Sequence, residues 1–449
     1  MNIEKGADKV VKTLRVMLTD QPGYLGRMTS AIGAAGGNIG DIKLISSGIT
    51  HNVREITIYV DGDEHLERIL EALTRVEGII VEDVIDLVQK VHEGGKIAVK
   101  SRVPITSISD VRKIYTPGVA SICRQIQKNP QLAYQYTGIN NTVAIVTNGT
   151  AILGLGDIGA VAGMPVMEGK AVLFDHLVGV SGVPILMNSK DVEEIVATVR
   201  QIAPTFGAIK LEDIAAPECF EIERRLDELL DIPVMHDDQH GTAVVVLAAL
   251  LNATKYSGMM LKNATIGVIG LGAAGTGISK LLMAYGVKKV VGTDLNAGAM
   301  ALLGENGGEP TDLAGVMEKS NIVVATTGCP GLIKATQVKK GQVILALSNP
   351  DPEIKPAEAM AAGASFAADG KSVNNALGFP GIFRGALNAH ATKINNKMLL
   401  AAAKAIAAHA EEGELVPGIL HPTVHKAVAD AVERAALESG VIKPWDSIE

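Results

Sequence analysis

The segment Ile266-Gly-Val-Ile-Gly270-Leu-Gly272-Ala273-Ala274-Gly275 runs an apolar strand into a G-x-G-x-x-G turn that opens a helix. The helix continues through Ile278, Leu281 and Leu282 to Tyr285, and Gly286 stops it. Lys288-Lys-Val-Val-Gly-Thr-Asp294 follows as a second strand with an acid at its tip. This is a complete βαβ context for dinucleotide binding. Gly270 makes the turn, Gly272 admits a pyrophosphate close to the backbone, Ala273 and Ala274 supply the helix N-terminus, and Gly275 packs helix on strand. Asp294 is placed to accept from a ribose 2′-hydroxyl. No Lys or Arg follows within Leu295-Asn-Ala-Gly-Ala-Met300 to meet a 2′-phosphate, so the pattern favours NAD over NADP.

A second copy of the glycine pattern, Gly154-Leu-Gly156-Asp-Ile-Gly159, has Asp175 at a comparable distance. Gly163, Pro165 and Gly169 fall in the helix that should follow, and they predict that no long crossover helix forms there. Asp157 would also set a negative charge beside a pyrophosphate. These glycines are expected to shape a turn instead.

Between the two copies lie Leu211-Glu212-Asp213-Ile214 and His236-Asp237-Asp238-Gln239. Each acidic cluster follows a strand-like run, Phe206 to Leu211 and Ile232 to Met235. Gly241 to Leu251 then reads as a buried helix. Ligands of open α/β sheets bind at the carboxyl ends of the strands, so four carboxylates converge where a hard cation could sit. An oxygen-only donor set suits Mg²⁺ or Mn²⁺ rather than Zn²⁺. His236 and His240 flank the acids as less favoured ligands.

The 449 residues predict two to three domains. With 47% hydrophobic and 20% charged residues the chain can bury a sizeable core. A net charge of −8 without a basic stripe argues against a nucleic-acid surface. The start shows no apolar signal segment, and the longest apolar run, Ala243 to Leu251, is too short to span a bilayer. Cys123, Cys219 and Cys329 are odd in number and widely spaced, as reduced core thiols of a cytosolic protein would be.

Residues 1–92 read as a separate domain. Leu14, Val16 and Leu18 alternate as a strand, Leu25 to Ala35 is helical, Ile42 to Ile45 and Arg54 to Val60 are strands, Leu66 to Val76 is a helix, and Val81 to Val88 is the last strand. The order βαββαβ is ferredoxin-like. An RNA-binding version would need stacking aromatics, and this segment offers only Tyr24 and Tyr59. Asp20-Gln-Pro-Gly23-Tyr-Leu25-Gly26 and Gly36-Gly-Asn38-Ile39 resemble an ACT domain, a regulatory module that usually binds amino acids or similar metabolites. The resemblance implies an effector near Asp20, Gly23, Leu25 and Asn38, at a dimer interface. A dimerisation module that binds nothing is the plainer reading. His92 to Lys96 reads as a linker, and residues 93–255 and 256–449 as two further α/β domains. Within the last, residues 395–440 are Ala-rich and helical, interrupted at Pro417-Gly418 and Pro422.

Tyr115-Thr-Pro-Gly-Val-Ala120, Leu153 to Gly159, Gly163-Met-Pro-Val-Met-Glu-Gly-Lys170-Ala171, Leu211-Glu-Asp213, His236 to Thr242, Ser348-Asn349-Pro350, and Asn374-Asn375 through Phe379-Pro-Gly381 occur in this order. Together they resemble the malic enzymes of bacterial type over about residues 104–440. The resemblance implies oxidative decarboxylation of malate to pyruvate with a nicotinamide cofactor and Mg²⁺ or Mn²⁺. It places the metal ligands on Glu212, Asp213 and Asp238, the general base on Lys170, the acid on Tyr115, and the carboxylate beside the lysine on Asp237. Asn349 and Asn375 would bind substrate, and Asn349 the cofactor as well. Thr150-Ala-Ile152 stands where larger members carry an arginine for malate, which leaves Arg384 or a residue of a partner subunit for the distal carboxylate. Phe174 to Ser181 also departs from the lysine-bearing stretch of bacterial relatives.

The chemistry reads the same way from the residues. A cation that chelates a 2-hydroxy acid lowers the hydroxyl pKa and later polarises the ketone. Lys170 can act as base if its pKa falls, with Asp237 holding it in place. Loss of CO₂ leaves an enol that needs a proton at C3, which Tyr115 can supply. Singly, each residue has a plainer reading: a packed turn tyrosine, a solvated lysine, helix-capping acids, turn asparagines. Two other functions compete. One is a metal-independent 2-hydroxy-acid or amino-acid dehydrogenase, and the other an inactive metabolite sensor.

Overall fold

The computed structural model describes residues 10–370 and 373–443. Residues 1–98 and 99–449 are two compact units.

In the first unit, β1 (Val10–Thr19), α1 (Tyr24–Ala34), β2 (Asn38–Ser47), β3 (His51–Val60), α2 (Asp63–Thr74) and β4 (Ile79–Asp86) build one antiparallel sheet in the order β2-β3-β1-β4. Leu14, Val16 and Leu18 point from β1 to one face and are buried with Ile56, Ile58, Met28, Ile32, Ile69 and Leu73. That alternation places both helices on one side of the sheet. The chain leaves β4 earlier than its composition suggests. Asp86 caps the short helix α3 (Leu87–His92) by accepting from Gln89 N at 3.0 Å, so Leu87 and Val88 are helical and not the end of the last strand.

The second unit opens with α4 (Ile108–Ile114), α5 (Val119–Lys128) and α6 (Leu132–Tyr136). A parallel sheet of order β6-β5-β7-β8 follows: β5 (Thr142–Thr147), α7 (Met164–Val178), β6 (Ser181–Leu186), α8 (Val192–Ile202), β7 (Ala208–Leu211), α9 (Glu218–Leu229) and β8 (Val234–His236). β8 passes directly into α10 (Asp237–Ser257), whose Val244 to Leu250 are buried all round.

Here α7 corrects a sequence expectation. A fifteen-residue crossover helix forms despite Gly163, Pro165 and Gly169. Gly163 is its N-cap, and Pro165 lies in the first turn, where a missing N–H costs nothing. The glycines before it do make a turn. Gly154, Gly156 and Gly159 all have positive φ, and Ile152 bridges Gly156.

A second parallel sheet has the order β11-β10-β9-β12-β13-β14. Its elements are β9 (Thr265–Ile269), α11 (Ala273–Tyr285), β10 (Lys289–Thr293), α12 (Ala297–Glu305), β11 (Glu309–Pro310), α13 (Leu313–Lys319), β12 (Ile322–Ala325), β13 (Val343–Ala346), α14 (Pro356–Ala361) and β14 (Phe366–Asp369). The strand order reverses between β9 and β12, the switch point of a doubly wound fold, where ligands bind at the carboxyl ends. Helices α15 (Phe379–Asn388), α16 (Asn396–Ala407) and α17 (Val424–Ser439) complete the unit. One apolar core spans both sheets, joining Val143 and Ile145 to Ile266 and Val268 around α10. Among the described residues no helix is long and apolar enough to cross a membrane.

Candidate active site

β7 and β8 are neighbours, so the residues that leave their carboxyl ends meet. Glu212 and Asp213 follow β7, and Asp237 and Asp238 open α10 directly after β8. One carboxylate oxygen from each of Glu212, Asp213 and Asp238 lies within 4.8 Å of the others. Asp213 reaches this place with φ 52, a left-handed conformation unfavourable for a residue with a side chain. Its N–H donates to Asp238 Oδ2 at 2.8 Å, and its carbonyl accepts from Ala151 N at 3.0 Å. Two hydrogen bonds thus lock the unusual turn.

Lys170 projects from α7 to this cluster. Its Nζ lies 2.9 Å from Asp237 Oδ2, 2.8 Å from Glu212 Oε1 and 3.3 Å from Asn375 Oδ1. It also sits over the Phe379 ring at 4.9 Å. Asp237 lies in the first turn of a long helix, where the macrodipole favours negative charge. Burial works to raise its pKa, but Lys170 and Lys210 outweigh that and hold it low. Burial, with the neighbouring Asp238 carboxylate, pushes Asp213 up to about 7. Among the described residues, buried Asp213 Oδ2 and Asp237 Oδ1 have no hydrogen-bond partner, while Glu212 Oε2 faces Lys210. Three carboxylates at three-ligand spacing, with a buried oxygen of Asp213 left unpaired, are what a donor set for a divalent cation looks like.

Four residues that the sequence reading passed over complete the site. Lys210 of β7 is wholly buried, with Nζ at ion-pair distance from Glu212 and 3.0 Å from Asp237 Oδ2. Burial pulls its pKa down to about 8 against the opposing pull of Asp237. Gly241 leaves room for Asp237, since a Cβ there would stand 1.9 Å from Asp237 Oδ1. Glu223 of α9 accepts from His236 N at 2.6 Å and Gln239 Nε2 at 2.7 Å, fixing the start of α10. Glu353 is buried and accepts from Thr327 N, Thr327 Oγ1 and Ser348 Oγ, clamping the loop that bears Asn349. Lys210, Glu223 and Glu353 shared one signal, a charge the fold had to bury, and such a charge demands partners.

At the other sheet the glycine turn has the form dinucleotide binding needs. Gly270 has φ 88. A Cβ on Gly275 would strike Gly270 O at 1.8 Å, so helix and strand touch through backbone. Gly272 faces open space, and Ala273 and Ala274 begin α11. Asp294 accepts from Leu271 N at 2.6 Å and Asn296 N at 2.8 Å, which ties the acid to the turn it serves. The carbonyl of Asn349 lies 3.5 Å from where a Cβ of Gly154 would stand, so the other glycine turn borders the space between the sheets.

Other expected residues lie elsewhere. Of the three cysteines expected in the core only Cys219 is buried, and Cys123 and Cys329 are exposed. Tyr115 ends α4, is 69% exposed, and is not among the groups that Lys170 touches. Arg384 bonds Asn141 Oδ1 at 2.6 Å and Asn388 Oδ1 at 2.8 Å. Asn141 precedes β5, so Arg384 is at the amino end of the sheet and cannot serve a ligand at the carboxyl ends. In the first unit Asp20 accepts from Asn52 near one end of β3, while Asn38 pairs with Tyr59 near the other. Those positions are about 23 Å apart at the usual rise of a strand. Asp20, Gly23 and Leu25 therefore cannot share a single-chain site with Asn38.

Comparison with known proteins agrees across the chain. The family described as malic enzyme, N-terminal domain, matches residues 95–191 and 187–227. The malic enzyme NAD binding domain matches 239–308 and 297–438, and the ACT domain matches 12–78. The NAD-dependent malic enzyme 1 of Bacillus subtilis is 56% identical over 433 residues, covering 96% of this chain and 99% of that protein. The NAD-dependent malic enzyme of Geobacillus stearothermophilus is 44% identical, covering 93% and 92%. The crystal structure of the NAD-dependent malic enzyme from Thermotoga maritima superposes with a TM-score of 0.73 at 38% identity, covering 78% of this chain and 99% of that one.

Proposed function

The chain belongs to the malic enzyme family, and from that premise we propose that it oxidises and decarboxylates malate to pyruvate and CO₂, reducing NAD in preference to NADP and depending on Mg²⁺ or Mn²⁺. The observation that carries the metal-dependent reading is Lys170 Nζ, 2.8 Å from Glu212 and 2.9 Å from Asp237, beside three convergent carboxylates at the strand ends. Residues 93–255 hold the substrate and metal, and residues 256–449 hold the dinucleotide.

Glu212, Asp213 and Asp238 would hold the cation, which when bound would supply Lewis-acid chemistry to the substrate. Gly270, Gly272, Ala273, Ala274, Gly275 and Asp294 would hold the dinucleotide, which supplies the hydride acceptor. Lys170 takes the C2 hydroxyl proton as hydride leaves C2. Asp237 keeps the lysine at its station, and Asn375, 3.3 Å from the same nitrogen, orients the substrate beside it. Asn349 binds on the side of the dinucleotide. The C3–C4 bond then breaks, CO₂ leaves, and Tyr115 returns a proton to C3 of the enol.

Tyr115 serves a second copy of the chain. Between Val99 and Asn141 no residue is fully buried, although Ile105, Ile108, Ile114 and Tyr115 are large and exposed. A homo-oligomer that covers this segment brings the phenol to the neighbouring lysine. The ACT domain modulates activity through a small metabolite bound at the Asp20–Leu25 turn, with Asn38 contributed by the other copy. The enzyme works in the cytoplasm, where its three unpaired thiols stay reduced.

The test is steady-state turnover of malate by the metal-stripped protein, with NAD or NADP and with or without Mn²⁺, following pyruvate and CO₂. Full activity in the presence of a chelator, or oxidation without CO₂ release, would refute the reading.

A further inference from the structure

β7 is covered on both faces, and its alternation sends Ile209 and Leu211 into one core and Ala208 and Lys210 toward the other. An ammonium in that position has no water. It persists only if fixed negative charge meets it. Glu212 and Asp237 do so, and Lys210 and Lys170 lie over the same Phe379 ring, at 4.7 and 4.9 Å. Lys210 cannot reach substrate as Lys170 can, because its side chain is wholly enclosed while that of Lys170 is 13% exposed.

The charges in the pocket can be counted. With every group ionised, Glu212, Asp213, Asp237 and Asp238 bring four formal negative charges, and Lys170 and Lys210 bring two positive ones. The remaining charge is that which one divalent ion neutralises. With an uncharged side chain at position 210, the pocket would hold a further uncompensated negative charge, and every cation would be drawn in more strongly.

We propose that Lys210 is a built-in counter-cation that shares Glu212 with the metal, weakening the grip on the ion and matching the pocket to a double positive charge. This rests on the metal reading given above and concerns only how tightly the ion is held. It is a positioning role, because Lys210 touches Glu212 and Asp237 and is enclosed away from the substrate.

The experiment is direct Mn²⁺ titration of the metal-stripped, full-length protein, with free Mn²⁺ counted by its electron paramagnetic resonance signal and no substrate present. Lys210→Met and Lys210→Gln are compared with wild type, and Tb³⁺ competition is measured on each. The expected result is one ion per chain throughout, bound about tenfold or more tightly by both variants, with the preference for Tb³⁺ over Mn²⁺ raised. Equal or weaker Mn²⁺ binding by the variants, with wild type binding normally, would overturn the role of Lys210 and leave the metal site standing. Wild type that takes up no Mn²⁺ would overturn the metal reading and this inference with it. Variants that fail to fold even with Mn²⁺ present would show a purely structural lysine and also refute the proposal.

Discussion

Gly241→Ala is the smallest change that should separate Asp237 from Lys170. Gly241 lies one turn after Asp237 within α10, where alanine would ordinarily stabilise a helix by about 0.5–1 kcal/mol. The new Cβ would fall 1.9 Å from Asp237 Oδ1 and 3.0 Å from its Cγ. Packing at that density leaves no slack, so the carboxylate must retreat by about 1 Å or more. The 2.9 Å contact with Lys170 then opens, and the proposed base loses the group that holds it in place. A displacement of that size in a catalytic constellation costs roughly 100-fold in kcat. The proposed metal ligands Glu212, Asp213 and Asp238 are untouched, so Mn²⁺ affinity should stay within a few-fold. The assay is kcat for malate under saturating NAD and Mn²⁺, alongside Mn²⁺ titration. The same substitution is also made in an Asp237→Ala background. There the obstacle is gone, and Gly241→Ala should add almost nothing, a strong non-additivity. A Gly241→Ala enzyme with kcat within about threefold of wild type would refute the claim that the place of Asp237 keeps the base productive.

Three further outcomes are expected. Mixing equal amounts of inactive Tyr115→Phe and Lys170→Ala proteins, after subunit exchange, should restore about a quarter of wild-type sites if tyrosine and lysine come from different copies of a symmetric dimer; a mixture as inactive as its parts would place both in one chain. Asp294→Asn should raise the ratio of kcat/KM for NADP over NAD by about tenfold, since a charge repelling the 2′-phosphate is removed, and an unchanged ratio would clear Asp294 of any part in cofactor choice. Native protein should expose Cys123 and Cys329 to a disulfide reagent while Cys219, whose buried thiol is pushed well above the ordinary range, reacts only on unfolding; three fast thiols would show that the α9 packing is loose.

What the sequence makes legible is what depends on local period and on strand ends. Leu14, Val16 and Leu18 announce a half-buried strand, and Ile266 to Asp294 a βαβ unit, because burial on one face or two leaves its mark on neighbouring positions. The acid pairs could be placed together because both follow strands of a parallel sheet. Other features need distances between remote segments. Lys210 looks like one polar residue in an apolar run until β5 and β8 cover both its flanks. Pro165 and Gly169 look like breakers until the helix begins at Met164 and makes the proline harmless. Asp20 and Asn38 look like neighbours in a list of motif residues, but an entire helix carries the chain from one end of the sheet to the other between them. Tyr115 belongs to a motif, and no motif states whose active site it completes.

The two halves of the proposed reaction are held in register by α10. Its first turn bears Asp237 and Asp238, and Asn375 lies against Gly241 one turn on. On its other side Gly277 of α11 approaches so closely that a Cβ would meet Gln239 O at 2.2 Å. The helix that begins at the dinucleotide turn therefore rests, backbone on backbone, against the residue following Asp238. Small residues at such a crossing remove the side-chain layer that would otherwise let two elements slide, and interiors this dense transmit displacement rather than absorb it. Hydride transfer needs C2 of malate and the nicotinamide at near-attack separation, which loops alone could not guarantee. A buried helix shared by both sheets, in contact with α11 through Gly277 and shaped around Asp237 by Gly241, sets that separation through the core of the protein.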